Sequence, residues 1–133
     1  MSENLDLVRS IFADWERGDF GSVEWADPRI EYEIADGPVP GSWRGLVGMA
    51  EGWRGFLNAW EDFRFTSDEY RQLDDERVLV LGHYDGRGKT SGVEVGQIRT
   101  DAASLFHVRD SKVTRMVHYF YRERALADLG LKE

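Results

Sequence analysis

A histidine in the predicted last strand is the residue with the clearest chemical potential. Met116, His118 and Phe120 alternate with Val117 and Tyr119, so they share one face of that strand, and His118 is the only ionisable residue among them. An imidazole has an ordinary pKa of about 6.5 and can accept a proton near neutral pH. The pattern therefore favours either a general base or a polar group that contacts a ligand.

Tyrosines on other predicted strands could supply the donor group. Tyr32 shares the apolar face of an early strand with Ile30 and Ile34, and Tyr84 lies on a later strand. We expect His118 and Tyr32 to form the catalytic pair, with Tyr84 as an alternative donor. The competing interpretation is a core histidine that is satisfied by one hydroxyl group, and the pattern leaves both open.

Other kinds of chemistry find little support in the sequence. The chain has no cysteine, which excludes disulfides, thiolate metal ligands and a cysteine nucleophile. His83 and His107 should share the face opposite His118, so a zinc site is not expected. No P-loop, dinucleotide-binding motif or Gly-x-Ser-x-Gly motif is present. We expect neither a metal nor a cofactor.

Length and charge narrow the classes of protein and partner. The 133 residues, of which 41% are hydrophobic, predict one globular domain over residues 1–133. A net charge of -8 without a basic cluster argues against binding to nucleic acid or to anionic lipid. No run of 18 apolar residues suggests a membrane span, and residues 1–6 lack signal-peptide features, so we expect a cytoplasmic protein.

Hydrophobic spacing predicts that helices come first and strands after. Helices are predicted from Ser2 or Asn4 to Gly18, over 19–25, over 46–60, and in a short segment that ends at Gly130. Strands are predicted over 29–34, 63–73, 78–85, 97–109 and 112–121, with loops over 36–41 and 86–92.

Three glycines share one face of the predicted helix over 46–60. Each of Gly48, Gly52 and Gly55 costs about 0.5–1 kcal/mol relative to alanine inside a helix. We expect this cost to be offset by a close approach of the helix to the sheet.

The order of these motifs resembles the NTF2-like superfamily. Asp27-Pro-Arg-Ile-Glu-Tyr32 and Trp43-Arg-Gly45 carry the general resemblance, which covers nearly the whole chain. The segments similar to its SnoaL-like branch are Gly86-Arg-Gly-Lys-Thr-Ser-Gly92, Arg109-Asp-Ser-Lys-Val113 and Ala125-Leu-Ala-Asp-Leu-Gly-Leu131. The hairpin turn of these relatives usually holds glycine where this chain has Ser111.

The resemblance implies an α+β fold. A curved mixed or antiparallel sheet would wrap around three N-terminal helices, forming an NTF2-like cone of the cystatin-like α+β barrel type. One sheet face would line a conical pocket. The convex face, with Leu81, Leu105 and Tyr119, would form a homodimer. Several strands are apolar on both faces, which we interpret as a dimer contact in preference to the alternative, a core on each side.

The implied pocket is apolar and aromatic and would bind a small apolar or aromatic molecule. Trp60 is an alternative to Trp53 in closing it. The expected ligand-binding residues are Trp15, Tyr32, Trp53, Tyr84, Ser104, Phe106, Met116, His118 and Phe120. The functions that fit are a cofactor-free isomerase, cyclase or hydrolase with His118 as base, or a non-catalytic binding or accessory domain.

The machinery of two NTF2-like enzyme groups is largely missing. The position of the ketosteroid isomerase base falls at Tyr32 or Glu33, its oxyanion acid falls near Ser104, and its helix-one tyrosine falls near Ile11. Limonene-epoxide hydrolases use an Arg-x-Asp pair and a further Asp, where this chain has Gly82, Tyr84 and His118. Neither mechanism is expected, whereas a polyketide cyclase that needs one pocket base remains open.

Overall fold

A computed structural model describes the chain over five stretches of backbone, which are residues 3–17, 24–36, 40–58, 60–90 and 93–131. The side chains described are those of residues 3–17, 24–36, 40–55, 64–85 and 101–131. The helices in these stretches are α1 (Glu3–Glu16), α2 (Gly45–Asn58) and α3 (Arg122–Leu129). The strands are β1 (Ala26–Ile34), β2 (Gly41–Arg44), β3 (Trp60–Gln72), β4 (Arg77–Thr90), β5 (Val93–Arg109) and β6 (Lys112–Tyr119).

The six strands form a single mixed sheet in the order β2-β1-β6-β5-β4-β3. Strands β1 and β6 run parallel, whereas the other neighbouring pairs are antiparallel. The chain order therefore separates helices from most of the strands, and the predicted α+β class is confirmed. None of the described helices is long and apolar enough to cross a membrane.

Two of the three expected N-terminal helices, α1 and α2, are described, and the predicted short helix that ends at Gly130 is present as α3. Helices α1 and α2 agree with the predicted apolar stripes, although α2 ends at Asn58 and Trp60 already belongs to β3. The third helix of the described chain is the C-terminal α3, which ends at Gly130 in the left-handed conformation at φ 68. The helix predicted over Asp19–Trp25 lies mostly outside the described residues, and its last residues, Glu24 and Trp25, form a turn.

Strand β2 was not predicted, and only its first residue, Gly41, lay in the predicted loop over 36–41. Its four residues follow a segment rich in proline and glycine, a composition typical of turns. The segment nevertheless pairs with β1, placing Trp43 opposite Tyr32. The predicted loop over 86–92 is likewise shorter than expected, because β4 extends to Thr90 and β5 begins at Val93.

The β5–β6 hairpin has a two-residue turn and an extra residue in one strand. Asp110 and Ser111 both have positive φ, of 53° and 65°, as the tight hairpin turn requires. Val108 pairs with Val113, but the residue before it in β5, His107, pairs with Arg115. Thr114 is therefore a bulge residue in β6, and every pairing beyond it is shifted by one residue.

The sheet carries a hydrophobic core on each face. On one face, which we call the aromatic face, strand residues pack against α1 and α2. The residues of the aromatic face that belong to a strand, together with Phe120 directly after β6, are Ala26, Ile30, Tyr32, Ile34, Phe65, Val78, Val80, Tyr84, Ala102, Phe106, Val108, Val113, Met116 and Phe120. Met116 and Phe120 thus share a face with Ala102 and Phe106, as their alternation predicted.

The opposite face is covered within the chain by α3. Leu81, Leu105 and Tyr119 are 3%, 5% and 6% exposed, and they form one core with Ala125 and Leu126 of the helix. The apolar pattern on this face, which we interpreted as a dimer contact, is therefore accounted for by the chain's own C-terminal helix. The homodimer itself stays a prediction.

Two glycines of α2 make room for a tryptophan. A Cβ on Gly52 would lie 2.6 Å from the indole ring of Trp43, and a Cβ on Gly48 would lie 3.3 Å from the Trp43 side chain. A Cβ on Gly55 would meet nothing within 4 Å. The expected close approach is confirmed for Gly48 and Gly52, where the neighbour is an indole side chain from β2, and is wrong for Gly55.

Candidate functional site

His118 lies on the aromatic face and is joined to a serine on the neighbouring strand. The register of β5 and β6 places Ser104 directly opposite His118. The Ser104 Oγ and His118 Nδ1 atoms are 2.8 Å apart and form a hydrogen bond. The two residues are 0% and 4% exposed, so this hydrogen bond lies inside the protein. Both were predicted pocket residues, and the structure brings them into contact.

Three aromatic side chains surround the imidazole. The ring of Trp53 is stacked on His118 with its centroid 5.1 Å away. Tyr32 and Trp15 approach edge-to-face, with centroids 5.3 and 6.0 Å away. These rings come from β1, α1 and α2, so the site forms only where both helices meet the sheet. Trp15, Tyr32, Trp53 and His118, which we predicted as pocket residues, therefore lie in contact with one another.

Burial holds both polar rings in their neutral forms. Removal from water lowers the pKa of His118 to about 3, because the imidazolium would be poorly solvated. Burial also raises the pKa of the Tyr32 hydroxyl well above its ordinary value, with a smaller contribution from nearby Tyr84. At neutral pH the site therefore presents an uncharged imidazole and an un-ionised phenol.

Two buried polar atoms in this cluster have no hydrogen-bond partner among the residues that the structure describes. They are the Tyr32 hydroxyl and the His118 Nε2 atom. A buried polar group without a partner costs about 1–3 kcal/mol, so such atoms are uncommon in folded proteins. Their occurrence on two contacting rings marks this spot as one able to hydrogen-bond a ligand.

The other predicted pocket residues form a neighbouring group on the same face. Tyr84 is stacked on Phe120, with ring centroids 5.6 Å apart, and meets Phe65 edge-to-face at 5.1 Å. Burial raises the pKa of the Tyr84 hydroxyl, and the Asp36 carboxylate raises it further. Tyr84 is therefore a neutral group beside Phe120, and its described ring contacts do not include His118.

Asp36 links the end of β1 to the end of β6. Its Oδ1 atom accepts a hydrogen bond from the backbone N–H of Phe120 at 2.5 Å, and Oδ2 accepts one from Tyr121 at 3.4 Å. The carboxylate thereby fixes the backbone that carries Phe120 at the edge of the aromatic group. Asp36 acts as a structural anchor in this arrangement.

Phe106 and Met116 complete the predicted set. Phe106 is fully buried and lies 6.3 Å from Trp15 between ring centroids, and Met116 is 1% exposed in the same core. Sequence reasoning missed Phe12, whose ring lies 4.8 Å from Trp15, and Trp43, whose ring lies 5.6 Å from Tyr32. The helical stripe that contains Trp15 could have indicated Phe12.

The carboxylates next to Tyr32 point away from the site. Glu33 forms an exposed ion pair with Arg115, 3.0 Å between Oε1 and the guanidinium, whereas Tyr32 is fully buried. Of the two residues considered for the isomerase base position, only Tyr32 faces the aromatic core. No group of three or more acidic or histidine side chains in the described part of the chain is placed to hold a metal ion.

Comparison with known proteins identifies the family. A family model of a SnoaL-like domain matches residues 8–116, most of the chain. The chain belongs to the SnoaL-like family. A comparison with curated proteins finds no match.

Solved structures similar to this SnoaL-like chain have an NTF2-like fold. An NTF2-like protein of unknown function from Burkholderia pseudomallei K96243 has a TM-score of 0.78 at 17% identity, covering 96% of this chain and 97% of that one. TerC, co-crystallised with polyporic acid, has a TM-score of 0.75 at 20% identity, with 96% and 98% covered. A putative polyketide cyclase from Xanthomonas campestris pv. campestris has a TM-score of 0.70 at 16% identity, with 94% and 95% covered.

The predicted NTF2-like, SnoaL-like membership is therefore confirmed. At these identities the likeness shows the fold alone, and the chemistry of the site rests on this chain's own residues. Within the SnoaL-like fold, His118 and Tyr32 are the described side chains that combine full burial with an unpartnered polar atom.

Proposed function

We propose that this SnoaL-like chain binds a small apolar or aromatic molecule at the aromatic face, with Tyr32 and His118 as its polar contacts. The observation that carries the proposal is the pair of unpartnered polar atoms on contacting rings. A ligand that hydrogen-bonds both atoms would relieve two buried, unsatisfied groups at once. Each group is worth about 1–3 kcal/mol, which makes binding at this spot favourable.

The walls of the proposed site suit a planar, uncharged ligand. Trp15 and Trp53 offer aromatic surfaces beside His118. Ligand pockets are typically apolar with a few placed polar groups, and this cluster has that composition. The SnoaL-like family and the co-crystallised TerC structure support a small-molecule ligand.

A second candidate function is cofactor-free catalysis, as an isomerase, cyclase or hydrolase in which His118 acts as general base and Tyr32 as donor. The putative polyketide cyclase among the similar structures favours this candidate. A histidine whose pKa burial lowers to about 3 is, however, a weak base at neutral pH. The site's protonation chemistry therefore favours binding over proton abstraction.

The domain organisation, the localisation and the assembly of the protein also belong to this proposal. We propose that residues 1–133 act as one cytoplasmic domain and that the protein is a homodimer, on the strength of the family resemblance. A partner on the convex side would meet α3, since that helix covers Leu81, Leu105 and Tyr119. Sedimentation equilibrium at micromolar concentration tests the assembly, and a monomer would contradict it.

Binding is tested by tryptophan fluorescence with a panel of small aromatic and terpenoid compounds. We expect a compound that binds the unmodified protein to bind Tyr32→Phe about fivefold to tenfold more weakly, because one hydrogen bond is lost. Tyr119→Phe removes a tyrosine hydroxyl from the opposite face and is the control, with unchanged affinity expected. Failure of every compound to bind, or equal weakening in both variants, would contradict the proposal.

Catalysis is tested with the same compounds. Turnover is followed by mass spectrometry in the unmodified protein and in His118→Gln. Conversion that is lost in His118→Gln would support the catalytic candidate, and binding without conversion would favour the non-catalytic one.

A further inference from the structure

The hydroxyl proton of Ser104 decides which nitrogen of His118 carries a proton. Ser104 is fully buried, and its Oγ makes one hydrogen bond in the described part of the chain, to His118 Nδ1. A serine hydroxyl has a single proton to donate and two lone pairs that accept. A neutral imidazole has a donor at one nitrogen and an acceptor at the other.

Two arrangements of this hydrogen bond are conceivable, and they leave different groups unpaired. If Nδ1 donates to Ser104 Oγ, the serine proton is left without an acceptor and Nε2 is a bare acceptor. If Ser104 Oγ donates to Nδ1, the serine proton is paired and the imidazole proton sits on Nε2. The first arrangement leaves both a donor and an acceptor unpaired, whereas the second leaves only the Nε2 proton without a partner among the described residues, so the second arrangement is favoured.

The same reasoning fixes the character of the Tyr32 hydroxyl. Burial raises its pKa well above the ordinary value, so the phenol keeps its proton at neutral pH. The hydroxyl and Nε2 are both unpartnered and do not bond each other. Both therefore present protons on rings whose centroids are 5.3 Å apart.

We propose that the site is a pair of neutral donors, Tyr32 O–H and His118 Nε2–H, built to bind a carbonyl oxygen of an aromatic ketone. The proposal rests on the proposed binding function and names the ligand class of that site. A carbonyl oxygen accepts two hydrogen bonds and has no proton that would need an acceptor. A carboxylate suits the site less well, because the described rings around His118 are Trp15, Tyr32 and Trp53, none of them charged.

Ser104 is the positioning residue of this pair. Its hydroxyl does not need to touch the ligand, because it acts by holding the lone pair of Nδ1 and so placing the proton on Nε2. The donor character of His118 therefore depends on a residue of the neighbouring strand. Removing that hydroxyl should release the tautomer without removing the imidazole.

The tautomer is read directly from ¹⁵N-edited NMR spectra of the free protein at neutral pH, with His118→Gln identifying the His118 signals. We expect the pattern of a neutral ring protonated at Nε2. In Ser104→Ala a mixture of tautomers should appear, and Ser104→Thr, which keeps a hydroxyl, should restore the single form. A spectrum of the unmodified protein with the proton on Nδ1 would overturn the proposal.

The ligand class is tested with three tricyclic compounds of similar shape, 9-fluorenone, fluorene and carbazole, by isothermal titration calorimetry. Fluorenone offers only an acceptor, carbazole only a donor, and fluorene neither. We expect fluorenone to bind about tenfold more tightly than fluorene, since two neutral hydrogen bonds are gained, and carbazole to have no such advantage. The fluorenone advantage should shrink in Ser104→Ala and persist in Ser104→Thr.

The outcomes separate the proposal from the function on which it rests. Tighter binding of carbazole than of fluorenone would overturn the donor pair. Absence of binding by all three compounds would overturn the binding function, and the NMR spectrum of the free protein separates that failure from a wrong tautomer.

Discussion

At the scale of single residues, the Tyr32 hydroxyl is kept at a cost to the fold. It is fully buried and unpartnered, so it contributes nothing to the stability of the free protein and loses its hydration. Tyr32→Phe removes that penalty while keeping the ring packed against Trp43 and His118. We expect the free energy of unfolding in urea to rise by about 1 kcal/mol. A loss of stability of that size would show that the hydroxyl has a partner in solution.

The buried imidazole makes stability depend on pH. Burial lowers the pKa of His118 to about 3 in the folded protein, against about 6.5 in the unfolded chain. The unfolded chain therefore binds the proton first, and stability falls as the pH drops from about 6.5 towards 3. Between pH 7 and 5 this contribution is about 2 kcal/mol, worked from those two pKa values.

The measurement compares urea unfolding at pH 7 and pH 5 in the unmodified protein and in His118→Gln. The free energy of unfolding of the unmodified protein, relative to that of His118→Gln, should fall by about 2 kcal/mol from pH 7 to pH 5. His107→Gln is the matched control. Partial burial lowers the pKa of His107 in the same direction, but the group is less buried than His118, so a smaller change is expected. Equal pH dependence in all three proteins would contradict the buried, neutral His118.

The sequence predicted which residues share a face but not which of them touch. Alternation along β6 placed His118 with Met116 and Phe120, and this is confirmed. The hydrogen bond to Ser104 could not be predicted, because a two-residue turn without a bulge would have paired His118 with Ala103. The contact depends on the extra residue Thr114, for which periodicity gives no signal.

At the scale of elements, the effect of replacing a glycine of α2 by alanine depends on the side chains that face that glycine. Gly52→Ala would press a methyl group to 2.6 Å from the Trp43 indole, so we expect a loss of about 1–3 kcal/mol. Gly55→Ala meets nothing within 4 Å and should raise stability by about 0.5–1 kcal/mol through helix propensity. Thermal unfolding of the two variants gives the comparison, and the same sign for both would contradict the placement of Trp43.

The β5–β6 turn offers a second test at this scale. Ser111 has φ 65°, a conformation that glycine adopts without steric cost. We expect Ser111→Gly to raise the free energy of unfolding by roughly 0.5 kcal/mol, the relief of backbone strain being partly offset by the greater entropy of the unfolded chain. Ser111→Val is the control and should lower stability, since a β-branched residue is disfavoured there. Equal values for the two variants, by thermal unfolding, would argue against this turn geometry.

Elements were predicted well where the pattern is long and regular. Helix α1 and strands β3 to β6 fall close to their expected ranges because their apolar residues recur over many positions. Strand β2 was missed because four residues are too few to show a period, and Trp43 only acquires its meaning by packing on Tyr32 and α2.

At the scale of the whole molecule, α3 closes the second core. Arg122 at its start donates to the carbonyl oxygen of Gly82 at 2.9 Å, and Leu126 is buried against the sheet at 5% exposure. We expect Leu126→Ala to lower the free energy of unfolding by about 2–4 kcal/mol, as for other buried leucines. Leu129→Ala, at a half-buried position of the same helix, should cost less in urea unfolding. Equal small effects would mean that α3 does not cover this face.

The two cores of the molecule differ in composition. The face under α3 is apolar and filled by the chain itself, whereas the aromatic face holds the buried groups Ser104, His118 and Tyr32. The resemblance predicted the α+β class, which is confirmed, and a ligand-binding role for the aromatic face, which stays a prediction. Of the three N-terminal helices that it implied, α1 and α2 are described, and the C-terminal α3, which Gly130 had indicated, packs on the face expected to bind a partner.

Because of the bulge at Thr114, the pairing of Ser104 with His118 depends on the number of residues in the hairpin. With a two-residue turn and no bulge, each even-numbered residue of β5 would lie opposite an odd-numbered residue of β6. The one additional residue in β6 places Ser104 opposite His118 instead. A lineage that lengthens or shortens this hairpin by one residue would turn His118 away from Tyr32 unless it also gained or lost a bulge. A change by two residues within a strand would keep His118 on the aromatic face but give it a different partner, whereas removal of Thr114 itself would preserve the pairing. The length of the β5–β6 hairpin thus determines whether Ser104 and His118 can form their hydrogen bond inside the protein.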